Sequence, residues 1–299
     1  MASPARIVIT AACLLSGFAV GTWIYRGYFV GIAPAEQLAR LPVTNLRLAI
    51  DVKTLRAAGI VDRLAGKSAE EPDYLSFVKE TGFDYKKDLD FVLASYSAGE
   101  TLAFLTGRFD WHNMQQYASK HGGACKDGIC RMPASTPGRH LSYQRIAAGL
   151  LAFASSTDSE AVTKLNRPNG ANPKLPTQPI WLLIPPDSFR DASALPAATH
   201  LFATALSTSS QVLLSFGAAG SAFEARLEAE CRTAEHAEQI VRELKAATTV
   251  LQRTMPRQPQ APTLSGILSA GTFSVNSAKI SGVWPIPRAA IDAFSGTAP

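Results

Sequence analysis

The stretch FVLASYSAGETLAFLTG, residues 91–107, decides the fold. Two apolar runs, Phe91 to Ser97 and Thr101 to Gly107, flank Ala98-Gly99-Glu100. A connection that short cannot carry a parallel crossover, which takes a dozen or more residues, so the runs read as antiparallel strands. Asp110 then stands where a side chain caps a helix. Trp111 to His121 follows as that helix, and Gly122-Gly123 stops it. Strand, tight turn, strand, cap, helix points to an α+β fold rather than a doubly wound parallel sheet.

The pattern extends both ways. Leu46 to Val52 reads as a strand, Thr54 to Leu64 and Glu71 to Glu80 as amphipathic helices, with Gly82 ending the second. Downstream, His140 to Arg145 and Leu150 to Ala154 read as strands, and Ser156-Thr-Asp158 opens a helix through Leu165. After Asn166–Pro179, which holds four prolines and three asparagines, the order recurs. Ile180 to Ile184 is a strand. Helices open at Asp187 and Ala197. Gln211 to Phe216 and Phe223 to Arg232 are strands around Ala218-Ala-Gly220. Ala237, Ile240, Val241, Leu244, Ala247, Val250 and Leu251 then make one apolar helical stripe. Thr272 to Ile280 reads as one strand and Arg288 to Phe294 as a last helix. The expected fold is α+β: two diverged β-α-β-β-α-β-like repeats with antiparallel sheets. Its parts are an anchor (1–30), a first repeat (45–165), a Pro/Asn-rich linker (166–179) and a second repeat (180–295).

Gly82-Phe-Asp84, then Asp88-Leu-Asp90 leading into a strand, then Gly107-Arg-Phe-Asp110 leading into a helix, resembles uncharacterised bacterial envelope proteins with one N-terminal membrane anchor and an extracytoplasmic α+β repeat. The resemblance covers mainly residues 45–165. It implies a location and a fold, and carries no functional residues.

The anchor is IVITAACLLSGFAVGTWIY, residues 7–25, without charge or proline between Arg6 and Arg26. At about 1.5 Å rise per residue it spans a hydrocarbon core of roughly 30 Å. Trp23, Tyr25, Tyr28 and Phe29 cluster at its end, where amphipathic rings favour the interface. Two other readings stand beside it: a signal peptide cleaved near Ala33-Pro-Ala35, and a lipoprotein signal acylating Cys13. Gly17 and Gly21 have GxxxG spacing, which helix–helix pairing or the ordinary glycine content of membrane helices explains.

The formal charge is +5 over 299 residues, and the basic residues are scattered. No basic stretch is interleaved with aromatics, so nucleic-acid binding is not expected. Of the four cysteines, Cys125 and Cys130 flank Asp127-Gly128, a favoured dipeptide for a two-residue hairpin turn. Pairing outward from the turn puts the two cysteines opposite each other in a non-hydrogen-bonded pair, where a disulfide forms naturally. A zinc site adding His121 lacks a fourth ligand. Cys231 reads as a buried strand residue. The disulfide turns the body toward the extracytoplasmic side, periplasmic or cell-surface, with the N-terminus in the cytoplasm.

Catalytic patterns are sparse. Ser76-Phe-Val-Lys79 has the SxxK spacing that lets a lysine activate a serine one turn away, but no SDN follows. Ser95-Tyr-Ser97-Ala-Gly99 lacks the first glycine of a nucleophile elbow. Asp84, Asp88 and Asp90 could gather around calcium, yet Lys86 and Lys87 interrupt them. No cofactor is expected. The function expected is a membrane-anchored, extracytoplasmic, non-enzymatic binding or interaction protein with a protein partner in the envelope. The alternatives are an accessory single-span subunit of a membrane complex, and an anchored serine hydrolase using Ser76 and Lys79.

Overall fold

The computed structural model describes residues 32–65, 71–97, 99–168, 175–189, 196–219, 222–254, 263–287 and 289–290. The expected anchor, with Cys13, Gly17 and Gly21, lies outside them. Among the described residues no helix is long and apolar enough to cross a membrane.

The strands are β1 (Leu46–Asp51), β2 (Leu89–Ser97), β3 (Glu100–Gly107), β4 (Ala124–Lys126), β5 (Ile129–Pro133), β6 (His140–Ala147), β7 (Leu150–Ser156), β8 (Ile180–Ile184), β9 (Gln211–Ala219), β10 (Ala222–Glu230), β11 (Thr272–Asn276) and β12 (Lys279–Ile286). They form one twelve-stranded sheet in the order β11-β12-β10-β9-β8-β1-β2-β3-β7-β6-β5-β4. Every neighbouring pair is antiparallel. The fold is therefore α+β with an antiparallel sheet. The N-terminal half contributes β1-β2-β3-β7-β6 and an added β5-β4 hairpin, and the C-terminal half contributes β8-β9-β10-β12-β11. They join where β1 pairs with β8.

The helices are α1 (Pro34–Arg40), α2 (Val52–Ala57), α3 (Ile60–Ala65), α4 (Pro72–Thr81), α5 (Tyr85–Asp88), α6 (Trp111–Lys120), α7 (His200–Leu206), α8 (Ala234–Thr254) and α9 (Leu264–Ser269). Residues directly opposite in a ladder share a face. Leu151, Leu105, Val92, Ile50, Ile180, Phe216, Ala225 and Trp284 make one such row across eight strands. That row is apolar throughout. Helix α6 covers it in the first half through Met114 and Ala118. Helices α7, α8 and α9 cover it in the second through Phe202, Leu244 and Ile267. On the other face the row Ala152, Phe104, Leu93, Ala49 and Trp181 is buried together with Leu38 and Leu41, at and just beyond the end of α1. It then continues into Ser215 and Arg226. The strand sequence FEARLEAE alternates accordingly: Phe223, Ala225, Leu227 and Ala229 face the core, and Glu224, Arg226, Glu228 and Glu230 the other side.

Cys125 and Cys130 stand opposite each other and are bonded. Asp127 (φ 53°) and Gly128 (φ 78°) both take the left-handed conformation that a two-residue hairpin turn needs.

Several local expectations are corrected. The helix expected over Thr54 to Leu64 is two short helices, because Gly59 at φ 70° breaks the ladder between α2 and α3. The strand expected over Thr272 to Ile280 turns back at Ser277 (φ 56°), which splits it into β11 and β12. No glycine marks that turn, so its sequence signal is weak. Ser156-Thr-Asp158 leads into a 3-10 helix, Ala161–Asn166, whose three-residue period sets Val162 and Leu165 on one buried side. Pro186–Phe189 and Ala197–Thr199 are also 3-10 turns, next to prolines that cannot donate. Cys231 lies just past β10, buried, its N–H donating to the Ala278 carbonyl at 2.9 Å. Of the expected last helix only Ala289 and Ala290 are described, and both are helical. The linker is described at its ends alone, where Asn166, Arg167 and Pro168 are exposed.

Candidate functional site

A cavity of about 570 Å³ lies between the second half of the sheet and its helices. Its floor follows from strand alternation. Ile180 of β8 faces Phe216 of β9, Phe216 faces Ala225 of β10, and Ala225 faces Trp284 of β12. Beside that row Ala218 faces Phe223, and Phe223 faces Ile286. The roof comes from three places in the chain: Leu55 and Ala58 at α2, Phe202 and Ala203 on α7, and Ile267 and Leu268 on α9. Helix α2 belongs to the first half and α7 and α9 to the second, so the cavity sits at the seam between them. The long α8 instead packs through Ala237, Ile240, Val241 and Leu244 without lining it.

Close packing holds the far wall. A Cβ on Gly271 would come within 2.4 Å of Trp284 Nε1, and one on Gly282 within 2.8 Å of Phe273 Cδ1. Neither position tolerates a side chain, and the rings of Phe273 and Trp284 meet edge to face at 5.2 Å. The Trp284 indole Nε1 is buried without an acceptor.

The lining is nearly free of charge. Among the described lining residues there is no Lys, Arg or His, and Glu224 is the one acid. Strand alternation directs Glu224 to the opposite face, where its carboxylate pairs with Arg226. Two hydroxyls reach the lining, and each already donates locally: Thr54 to Asp51 Oδ2 at 2.8 Å and Thr199 to the Pro196 carbonyl at 2.7 Å. Among the described lining side chains, the Trp284 indole N–H is thus the donor left without a partner, and it is buried.

The residues singled out in the sequence lie elsewhere. Ser76 and Lys79 are exposed on α4. The Ser76 hydroxyl donates to Glu80 Oε1 at 3.2 Å, and the same oxygen is 3.3 Å from His121 Nε2. Lys120 Nζ is 3.7 Å from Glu80 Oε2. Desolvation pushes the Glu80 carboxyl up, but hydrogen bonds from His121 and Ser76 outweigh it, and the net shift is downward. Asp84 accepts from the Tyr74 hydroxyl at 2.8 Å, Asp88 pairs with Arg108 at 2.8 Å, and Asp90 with Arg56 at 3.3 Å. Among the described residues no three His, Cys, Asp or Glu side chains gather as a metal site would require. On β1 and β2, Arg47 and Ser95 stand opposite each other, and Arg47 Nε and Ser95 Oγ are buried without partners. Burial pushes the Arg47 guanidinium down from its ordinary pKa.

Sequence reasoning missed the cavity. The strand at Phe223 to Arg232 was legible, but whether helices fill the sheet face above it or leave space there depends on where distant segments cross.

No protein-family model matches the chain, and no curated protein matches it in sequence. Two crystal forms of a protein named TP0453 are similar in fold. Form I superposes with a TM-score of 0.51 at 12% identity, covering 89% of this chain and 97% of TP0453. Form III gives 0.51 at 12% identity, with 90% and 98% covered. About nine-tenths of the chain thus shares an α+β fold with a protein of nearly unrelated sequence.

Proposed function

We propose that the chain is a membrane-tethered, extracytoplasmic, non-enzymatic binding protein that shelters an apolar ligand, the hydrocarbon part of a lipid, in the cavity at the seam of its two halves. The observation that carries this reading is the cavity itself. Ligand pockets fall at roughly 300–1,000 Å³ and are lined mainly by apolar side chains with a few polar groups. This one has the volume and the apolar walls, and its lining hydroxyls are already engaged. Burial of hydrocarbon contributes about 25 cal/mol per Å² removed from water, so such a lining binds alkyl chains without any directed contact. The apolar run at 7–25 would hold this cavity beside a source of lipid, and a disulfide suits the oxidising side of a membrane.

The matching strand orders support a further point. β1-β2-β3-β7-β6 and β8-β9-β10-β12-β11 are the same path, with α6 and α8 each following the third strand of its half. We read the halves as diverged copies of one unit whose junction became the binding site.

The test is lipid extraction. The full chain, purified from membranes in a non-ionic detergent, is stripped with organic solvent and the extract read by mass spectrometry. Co-purified lipid near one equivalent, lost in an Ala203→Phe variant, supports the reading. Equal lipid in both proteins overturns it.

A further inference from the structure

We infer that the cavity recognises its ligand by hydrocarbon length and is blind to the headgroup. This rests on the reading of the cavity as a lipid site and adds the rule of selection. The argument is an inventory of polar groups. Taking an ion out of water costs several kcal/mol unless a partner replaces the lost hydration. A carboxylate or phosphate inside this cavity would need a cation or free donors. Among the described lining residues no cation is present, the Thr54 and Thr199 hydroxyls are already donating, and Glu224 is committed to Arg226. The Trp284 indole Nε1 has no acceptor but is pressed against Gly271, where even a methyl group would not fit. An ammonium headgroup finds no carboxylate, since Glu224 stands on the other face of the sheet, and the cation–π contact the aromatic walls offer, about 1–2 kcal/mol, is smaller than the cost of dehydrating the ion. Every headgroup therefore stays in water, and the interaction that varies between ligands is alkyl burial against Phe216, Phe223, Phe202 and Trp284. At about 0.8 kcal/mol per methylene, affinity changes roughly fourfold for each carbon until the cavity is full.

Native mass spectrometry of the full chain, released from non-ionic detergent micelles, reads this directly. The ligands added are single-chain amphiphiles below their micelle concentrations: a fatty acid, a fatty alcohol and a lysophosphatidylcholine of one chain length, and the fatty acid series from ten to sixteen carbons. Ala203→Phe and Ala58→Trp identify which adducts belong to the cavity. Ala58 is exposed at the rim, so its substitution leaves the core intact. The expected result is that the three headgroups bind within about threefold of one another, while each two-carbon step changes affinity about tenfold or more. A tenfold or larger preference for one headgroup at constant chain length overturns the inference and leaves the lipid-binding reading standing. Adducts that neither variant diminishes overturn both.

Discussion

Ala49 of β1 stands directly opposite Trp181 of β8, and both are buried at the pair of strands that joins the two halves. The smallest aliphatic side chain faces the largest aromatic one, so this pair is packed by complement. Beside them Leu48 faces Leu182 and Ile50 faces Ile180. The two halves thus share a ladder and a core, and should unfold together.

Ala49→Leu adds three carbons where Ala49 is fully buried. Overpacking of this kind costs about 1–3 kcal/mol. Urea denaturation followed by far-UV and near-UV circular dichroism should show one coincident transition at lower midpoint. Two separated transitions in the wild-type protein would mean that the halves fold independently.

The Tyr143 hydroxyl donates to the Met114 carbonyl at 2.7 Å, tying β6 to α6. Burial raises its pKa to about 12, and nearby Tyr117 adds to the shift. The unfolded value is near 10. A pKa raised on folding means the contribution is complete below pH 10, then lost as pH rises toward 12, by about 3 kcal/mol for a two-unit shift. Tyr143→Phe should cost about 1 kcal/mol at pH 8 and remove that alkaline loss. Urea midpoints measured from pH 8 to pH 11.5 for both proteins check this, and parallel curves would refute it.

The Cys125–Cys130 bond closes a short loop, with a sequence separation of five. Loop-closure entropy gives about 2 kcal/mol for it. The paired Cys125→Ala, Cys130→Ala variant should melt lower by that amount and exchange amide protons faster in β4 and β5. Protection of β1, β8 and β9 should be unchanged. Global loss of protection would assign the disulfide a larger role than its loop length allows.

Arg47 is a half-buried cation whose Nε has no acceptor, opposite Ser95 with an unpaired hydroxyl. Replacing an unpaired buried polar group with an apolar one of similar length removes a desolvation cost. Arg47→Met should raise stability by about 1 kcal/mol in urea denaturation. A loss of similar size would show that the guanidinium has a partner in the intact protein that its neighbours on β1, β2 and β8 do not supply.

Ser76 and Lys79, the pair with catalytic spacing, give a discriminating null experiment for the hydrolase alternative. Ser76 donates to a carboxylate whose acidity is enhanced, and such a carboxylate is a weak base. A fluorophosphonate probe should leave Ser76 unlabelled, and stoichiometric labelling would bring the enzyme reading forward.

Much of the fold was legible in short-range signals. The strands around Ala218-Ala-Gly220, the tight turn before Glu100, the cap at Asp110 and the Asp127-Gly128 hairpin each act within a few residues, and local sterics and hydrogen bonding decide them. The sequence alone therefore determined the α+β class, the antiparallel hairpin of β2 and β3 and the Cys125–Cys130 bond. It did not determine that β1 and β8 pair to make one sheet, since that contact joins residues more than a hundred positions apart. Nor did it show the cavity. Leu55, Phe202, Ile267 and Trp284 are single apolar residues far apart in the chain. Only the tertiary structure decided that the helices bearing the first three stand apart over the row Ile180, Phe216, Ala225 and Trp284. Burial is a property of single residues and repeats along the chain, whereas empty space is a property of how distant elements meet.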